Sequence, residues 1–299
     1  MDERKLLPDQ IARVMIGSTT GAPPVEVFST DEMIIEAPNW SLDGHWLILN
    51  GDGKLWRLAA DGSSGLEQIE LFGVPALNND HVLAPDGHHV FVSANDWHIY
   101  EADLDGGPVR RVTNDHGPEP FMHFLHGVSP DGKTLAYIGI EPEAADLWAR
   151  ANIFLIPAAG GPDRRLTNES KPFDGCEYTP DGEWIYCNTE VFSDIPGHAQ
   201  IARLRPNGTE LQQLTFDERV NWFPHMSPDG QQILFLSFPP GTTGHPPNLP
   251  IELKLVRQGN WHSPETLVQT FGGQGTCNVN SWAPDSTRFA YVSYPISHA

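Results

Sequence analysis

Histidines, carboxylates and amides recur at one place in this chain, the few residues ahead of a repeated four-residue turn. His81, His126 and His225 stand three, three and two residues before such turns. Neutral imidazoles at nearly matching positions of separate repeats could converge on a divalent metal (Mn, Zn, Ni or Ca), with Asp or Glu completing the shell. A metal-free His beside a carboxylate is instead an acid/base near neutral pH. His123, Asp174 and Glu177 are the candidates for that proton-moving role. Glu36, Asn39, Asn79, Trp222, His245, Asn278 and Asn280 are the candidates for holding a substrate. Trp beside amides, acids and imidazoles suits a sugar, which stacks one apolar face and offers hydroxyls at its edge. Taken singly, each histidine is more simply a cap on a strand or a partner for a backbone carbonyl. Only the repeated position makes a site of the three.

Residues so far apart in sequence meet only if the repeats close into a ring. The turn reads Ser41-Leu42-Asp43-Gly44, Ala84-Pro85-Asp86-Gly87, Ser129-Pro130-Asp131-Gly132, Thr179-Pro180-Asp181-Gly182, Ser227-Pro228-Asp229-Gly230 and Ala283-Pro284-Asp285-Ser286. Its Asp residues are 43, 45, 50, 48 and 56 positions apart. Pro presets φ, Asp bonds its own backbone and Gly accepts positive φ. Short apolar strands follow each turn, as in Trp46-Leu47-Ile48-Leu49 and Ile233-Leu234-Phe235-Leu236, and further strands end in runs such as Arg164-Arg165-Leu166-Thr167. Four antiparallel strands per such period predict a β-propeller blade. The sixth copy stops after two strands, and the chain's front supplies Ala12–Ile16 and Val25–Phe28 to complete it. The expected fold is all-β: one six-bladed propeller over 1–299, its last blade closed by N-terminal strands. The blades span about 31–70, 75–114, 120–168, 173–216, 221–270, and 276–299 with 11–30.

Connectivity puts the short turns on one face and the variable loops 139–150, 189–199 and 238–250 on the other, beside the strand starts. A funnel mouth there would gather Glu36 and Asn39, Asn78 to His81, His123 and His126, Asp174 to Glu177, Asn221 to His225, and Asn278 and Asn280. His116 and His198 in loops could add to it, as could Trp97, Trp148, Phe192 and Trp261. Trp40 and Trp282, one residue before the turn, repeat a core position.

The Ser-Pro-Asp-Gly turn and the run Gly160-Gly161-Pro162-Asp163-Arg164-Arg165-Leu166-Thr167 resemble the TolB-like six-bladed propeller family of WD-like repeats, over essentially the whole chain. The resemblance implies the fold and, through TolB itself, a non-catalytic protein-interaction module. The arrangement is also similar, distantly, to oligogalacturonate lyases, propellers whose funnel histidines hold a divalent metal. That likeness implies a metal at His81, His126 and His225 and a lyase or hydrolase acting on a carbohydrate-derived substrate. Two expectations follow: an enzyme or binding protein for a polar, sugar-like small molecule in the funnel, or an interaction module with a protein partner.

Other classes are excluded. Net charge is −21, from 39 acidic and 18 basic residues, which repels nucleic acid and anionic membranes. The chain carries no Gly-x-Ser-x-Gly nucleophile elbow, phosphate loop or dinucleotide fingerprint. The first ten residues lack a basic-then-apolar signal pattern, so a cytoplasmic location is expected. Three cysteines, Cys176, Cys187 and Cys277, are too few and too uneven for a disulfide framework.

Overall fold

The computed structural model describes residues 4–117, 121–141 and 150–296. Trp148 and most of the expected loop 139–150 lie outside the described residues. The described elements are strands, turns and loops. β1 (Ala12–Ser18) and β2 (Val25–Thr30) come first. Blade 1 is β3 (Glu36–Trp40), β4 (Trp46–Gly51), β5 (Lys54–Ala59) and β6 (Glu67–Ile69). After β7 (Leu71–Phe72), blade 2 is β8 (Leu77–Leu83), β9 (His89–Ala94) and β10 (Ile99–Asp103), then β11 (Gly107–Pro108) and the outer β12 (Arg110–Arg111). Blade 3 is β13 (Met122–Val128), β14 (Thr134–Ile140), β15 (Ala151–Pro157) and β16 (Arg164–Arg165). Blade 4 is β17 (Phe173–Tyr178), β18 (Ile185–Thr189), β19 (Gln200–Leu204) and β20 (Gln212–Gln213). Blade 5 is β21 (Val220–Met226), β22 (Gln232–Phe238), β23 (Leu249–Arg257) and β24 (Glu265–Gly272), and β25 (Arg288–Ser293) belongs to blade 6. Within blades the strands pair antiparallel in chain order.

The sixth blade is closed as the sequence predicts. β25 pairs with β1 from Arg13↔Ser293 to Ser18↔Arg288, and β1 pairs with β2. Its innermost strand is irregular, held by a Trp282↔Phe289 bridge and by Ala290 N donating to Ser281 O at 2.9 Å. Joining the ends in one sheet removes the open edge that would otherwise be left. The parallel pair β7–β11 is an addition that repeat-reading does not foresee; it ties the exit of blade 1 to blade 2.

Each turn is built by its own side chains. Ser41 Oγ donates to Asp43 Oδ1 at 2.6 Å and accepts from Trp46 N at 2.9 Å; His45 N donates to Asp43 Oδ1 at 2.9 Å. Ser129 with Asp131, Thr179 with Asp181 and Ser227 with Asp229 repeat the bond. Gly44 has φ 78°, which a glycine adopts without strain. The core lies between neighbouring blades, where Phe91, Tyr137, Phe235 and Phe289 are wholly buried. Trp40 and Trp282 are core, as their shared position implies.

The innermost strands bulge before the turn. Pairing shifts between Glu36 and Asn39, Leu77 and His81, Leu125 and Gly127, Asp174 and Glu177, and Trp222 and His225. An extra residue re-aims the side chains beside it. These bulges decide which predicted residues face the axis.

All three cysteines are free and buried. Burial pushes the Cys176 and Cys187 thiols up, well away from thiolate formation. A thiol reagent should therefore modify the protein only after denaturation; rapid labelling of the native protein would contradict this packing.

Candidate functional site

The innermost strands and the loops opposite the Ser-Pro-Asp-Gly turns enclose a funnel of about 620 Å³. At its wall stand Asp80 from β8, His126 from β13, Asp174 from β17 and His245 from the β22–β23 loop. His126 Nε2 lies 2.8 Å from Asp174 Oδ1, and His245 Nε2 lies 3.8 Å from Asp174 Oδ2. Apolar walls come from Phe124, Phe173, Trp222 and Phe223. His245 meets the Trp222 ring edge-on at 4.5 Å.

Local structure sets each of these groups. Asp174 Oδ1 also accepts the Gly175 N–H at 2.8 Å, inside the β17 bulge. Gly175 has φ 61°, and a Cβ there would fall 2.8 Å from Asn188 Oδ1 and 3.0 Å from the Phe223 ring. No other residue fits that close approach without displacing its neighbours. Asn188 Oδ1 in turn accepts Phe223 N at 3.1 Å, fixing the next bulge, where Phe223 has φ 51°. At the rim, Arg4 reaches in from the N-terminal segment. Its Nη1 lies 2.5 Å from Glu36 Oε1, its guanidinium sits over the Tyr294 ring, and it also donates to Gln274 O. Asn79 Nδ2 donates to the same Glu36 oxygen at 3.3 Å.

Charge is concentrated here on buried side chains. Burial raises the Asp80 carboxyl to about 7; Asp174 and Glu36 push it the same way and His126 pulls against them. Burial works against the charged His126 and Asp174, but their hydrogen-bonded pairing wins. It raises the imidazole and lowers the carboxyl. Burial raises Glu36 despite Arg4. Burial also lowers His245.

The lining holds buried polar atoms with no hydrogen-bond partner in the protein: His126 Nδ1, Asn50 Nδ2, Asn78 Nδ2, Trp222 Nε1, Nε and Nη2 of Arg4, and the Gln274 Oε1 acceptor. Buried polar groups are ordinarily satisfied, so a set of this size on one cavity's walls calls for a ligand-side partner. Once His126 is protonated on both nitrogens, six of these atoms donate and only Gln274 Oε1 accepts, so the complement is a molecule rich in oxygen acceptors that also carries a hydroxyl.

The structure sorts the predicted residues. Glu36, Asn79, Asp174, Trp222, His245 and Asn278 line the funnel, and so does His126. His81, His123, Asn39, Glu177, His225 and Asn280 do not. The expected metal triad does not assemble. His225 Nδ1 lies 2.6 Å from Glu177 Oε2 and its Nε2 lies 3.1 Å from the Cys277 carbonyl oxygen, so both nitrogens donate and neither has a lone pair for a metal. His81 turns away and donates through Nδ1 to Asn50 Oδ1 at 2.5 Å. The funnel residues therefore do not fit a His81–His126–His225 metal centre. Glu177 is an internal anchor rather than a proton mover: it also accepts from Met226 N at 3.0 Å and Asn280 Nδ2 at 2.8 Å. Asn39 is buried in blade 1, paired with Ile48. His198 is tied to Ser193 and the Asp217 carbonyl, Trp97 packs on Phe124, and Trp261 stacks with Tyr186 and Phe235.

The sequence places Asp80 at the funnel mouth without singling it out for chemistry, and gives Arg4 and Asn50 neither place nor role. Asp80 carried the strongest signal, being a carboxylate beside His81 at a strand start. Arg4 carried none, since nothing local shows that the leading segment folds back over the funnel.

His123 belongs to a different cluster. Its Nε2 lies 3.3 Å from His116 Nε2, which lies 3.4 Å from Asp163 Oδ2. Among the described residues this is the group of three ligand-type side chains whose donor atoms all fall within 4.8 Å of one another.

No family model matches the chain. It is 36% identical over 272 residues to an uncharacterized protein of Agrobacterium fabrum, covering 90% of this chain and 87% of that one. A solved structure of a candidate TolB from Agrobacterium tumefaciens superposes with a TM-score of 0.85 at 33% identity, over 98% of this chain and 99% of the other. An oligogalacturonate lyase in complex with manganese shares the fold, with a TM-score of 0.58 at 13% identity over 90% of this chain and 75% of the other. With six closed blades and that identity along nine-tenths of its length, the chain belongs to the TolB-like six-bladed β-propeller family.

Proposed function

We propose that the funnel binds a small, oxygen-rich, carbohydrate-derived molecule and moves a proton on it. Asp80 and the His126–Asp174 pair act as the acid/base groups. The observation that carries this reading is the set of unpartnered buried polar atoms, donors for the most part, on a cavity of about 620 Å³. That volume falls within the range of roughly 300–1,000 Å³ typical of small-molecule sites. Apolar rings and polar donors on one wall suit a sugar better than a hydrocarbon.

The chemistry follows from the two ionisation states. A carboxyl that titrates at about 7 accepts a proton at neutral pH with little penalty. The His126 imidazolium is oriented through Nε2 by Asp174, which leaves its Nδ1–H for a substrate oxygen. A base and a donor on one cavity support elimination or hydrolysis of a sugar-type substrate, as a lyase or hydrolase performs it. No metal step is needed from the funnel residues.

A second reading has its own support. Phe192 and Ile195, on the loop that also supplies Pro196 and Gly197 to the funnel wall, are 37% and 63% exposed. Exposed apolar side chains beside a cleft suit a protein partner, as in an interaction module.

A thermal-shift screen of untagged protein against sugars, uronic acids and oxidised sugars separates the two. A ligand at 100 times its Kd stabilises the fold by about 2.7 kcal/mol. The expected result is a raised melting point that Asn78→Ala and His126→Gln both diminish. No shift with any compound, together with a partner that needs Phe192 and Ile195, would favour the interaction module.

A further inference from the structure

We infer that His116, His123 and Asp163 form a binding site for a divalent first-row cation, zinc by its geometry. It lies apart from the funnel and fastens the connection between blades 2 and 3.

The three residues come from separate places: His116 from the inter-blade connection, His123 from the start of β13, and Asp163 from the loop before β16. The Nδ1–H of His123 donates to Trp97 O at 2.6 Å. That bond fixes the tautomer and leaves the Nε2 lone pair facing the other two ligands, as outer carbonyls do for metal-bound imidazoles. Asp163 is held from behind, with Oδ1 accepting from Tyr137 OH at 2.7 Å and Oδ2 from Asn114 Nδ2 at 2.8 Å. The His116 ring stacks on Phe121 with centroids 3.8 Å apart.

The spacing fits an ion. Bonds of about 2.0–2.1 Å in a tetrahedral shell put neighbouring donor atoms about 3.3–3.4 Å apart. The separation is 3.3 Å between the imidazole nitrogens and 3.4 Å from His116 to Asp163. Two imidazoles and one carboxylate suit zinc and leave one position for water. His123 is buried while His116 is exposed, so the site has an anchored half and an open entry.

The test is titration calorimetry of untagged, chelator-stripped protein with zinc chloride in excess magnesium, which occupies the acidic surface. One ion per chain is expected. His116→Ala, at an exposed position, should abolish the isotherm, and Asn114→Ala should weaken it about tenfold. Asp163→Asn gives a second ligand variant, and cobalt(II) should show the visible absorption of a tetrahedral site in the wild type only. Zinc should raise the melting point of the wild type and leave His116→Ala unmoved. No stoichiometric zinc binding, or an isotherm unchanged in His116→Ala, would overturn the proposal.

Discussion

Asp80→Asn should stabilise the protein at pH 8 and at the same time abolish any turnover in the funnel. The sign follows from linkage. The Asp80 carboxyl has an ordinary value of 3.8 and stands at about 7 in the fold, burial being the main cause. Between those values the unfolded chain has released its proton and the folded one has not, so stability falls as pH rises through that window. The loss is complete above about pH 7 and absent below about 4. A difference of about three pH units corresponds to roughly 4 kcal/mol at most. Asn keeps the shape and carries no charge to bury, although its own amide retains some cost. The check is a pair of melting curves at pH 4 and pH 8: the variant should gain only at pH 8. Any turnover by the wild type should rise with pH toward about 7, as Asp80 becomes a free base. A variant that is both more stable and inactive is what a functional buried charge predicts. A variant less stable than wild type at pH 8 would mean that the ionised carboxylate is well solvated or paired.

Glu177→Ala should be the most damaging single change away from the funnel. Glu177 accepts from His225, Met226 N and Asn280 in a closed space between blades 4, 5 and 6. Removing one member of a buried pair leaves its partner uncompensated and costs about 3–5 kcal/mol. Urea denaturation at pH 7 measures it, and Glu177→Gln should lose less, because an amide oxygen still accepts from Met226 N. The pH dependence gives a second readout. Burial opposes the His225 charge, but Glu177 overturns that and raises the imidazole to about 10. Stability from a raised imidazole is fully present below its ordinary 6.5 and is lost as pH rises through 10. Wild type should therefore weaken between pH 7 and 10, and Glu177→Ala should be nearly flat there. Equal slopes in the two proteins would contradict the ion pair.

The architecture was legible because it is written locally. Ser41, Asp43 and Gly44 make their turn with their own side chains, and five further turns recur at blade intervals. Closure was legible because β25 had no outer neighbours and the front of the chain held two unused strands. The site was only half legible, and the bulges explain why. His126 is the extra residue of its bulge and faces the funnel, whereas His81 comes after a bulge and pairs opposite Val92. Both stand three residues before their turns, so counting treats them alike. His225 and Glu177, each two residues before a turn, meet one another in adjacent blades. A shift of one residue in register swaps funnel for interior. Sequence spacing shows the ring of polar residues; the backbone irregularity chooses its members. Arg4 and the His116–His123–Asp163 cluster depend on contacts between distant segments and leave no local mark.

The central claim is that the funnel is a binding site for an oxygen-rich small molecule. A crystal structure with the compound that raises the melting point most is the direct measurement. The molecule should sit between Trp222 and Asp80, accepting hydrogen bonds from His126 Nδ1 and Asn78 Nδ2. A compound bound elsewhere, with those donors unengaged, would contradict the claim.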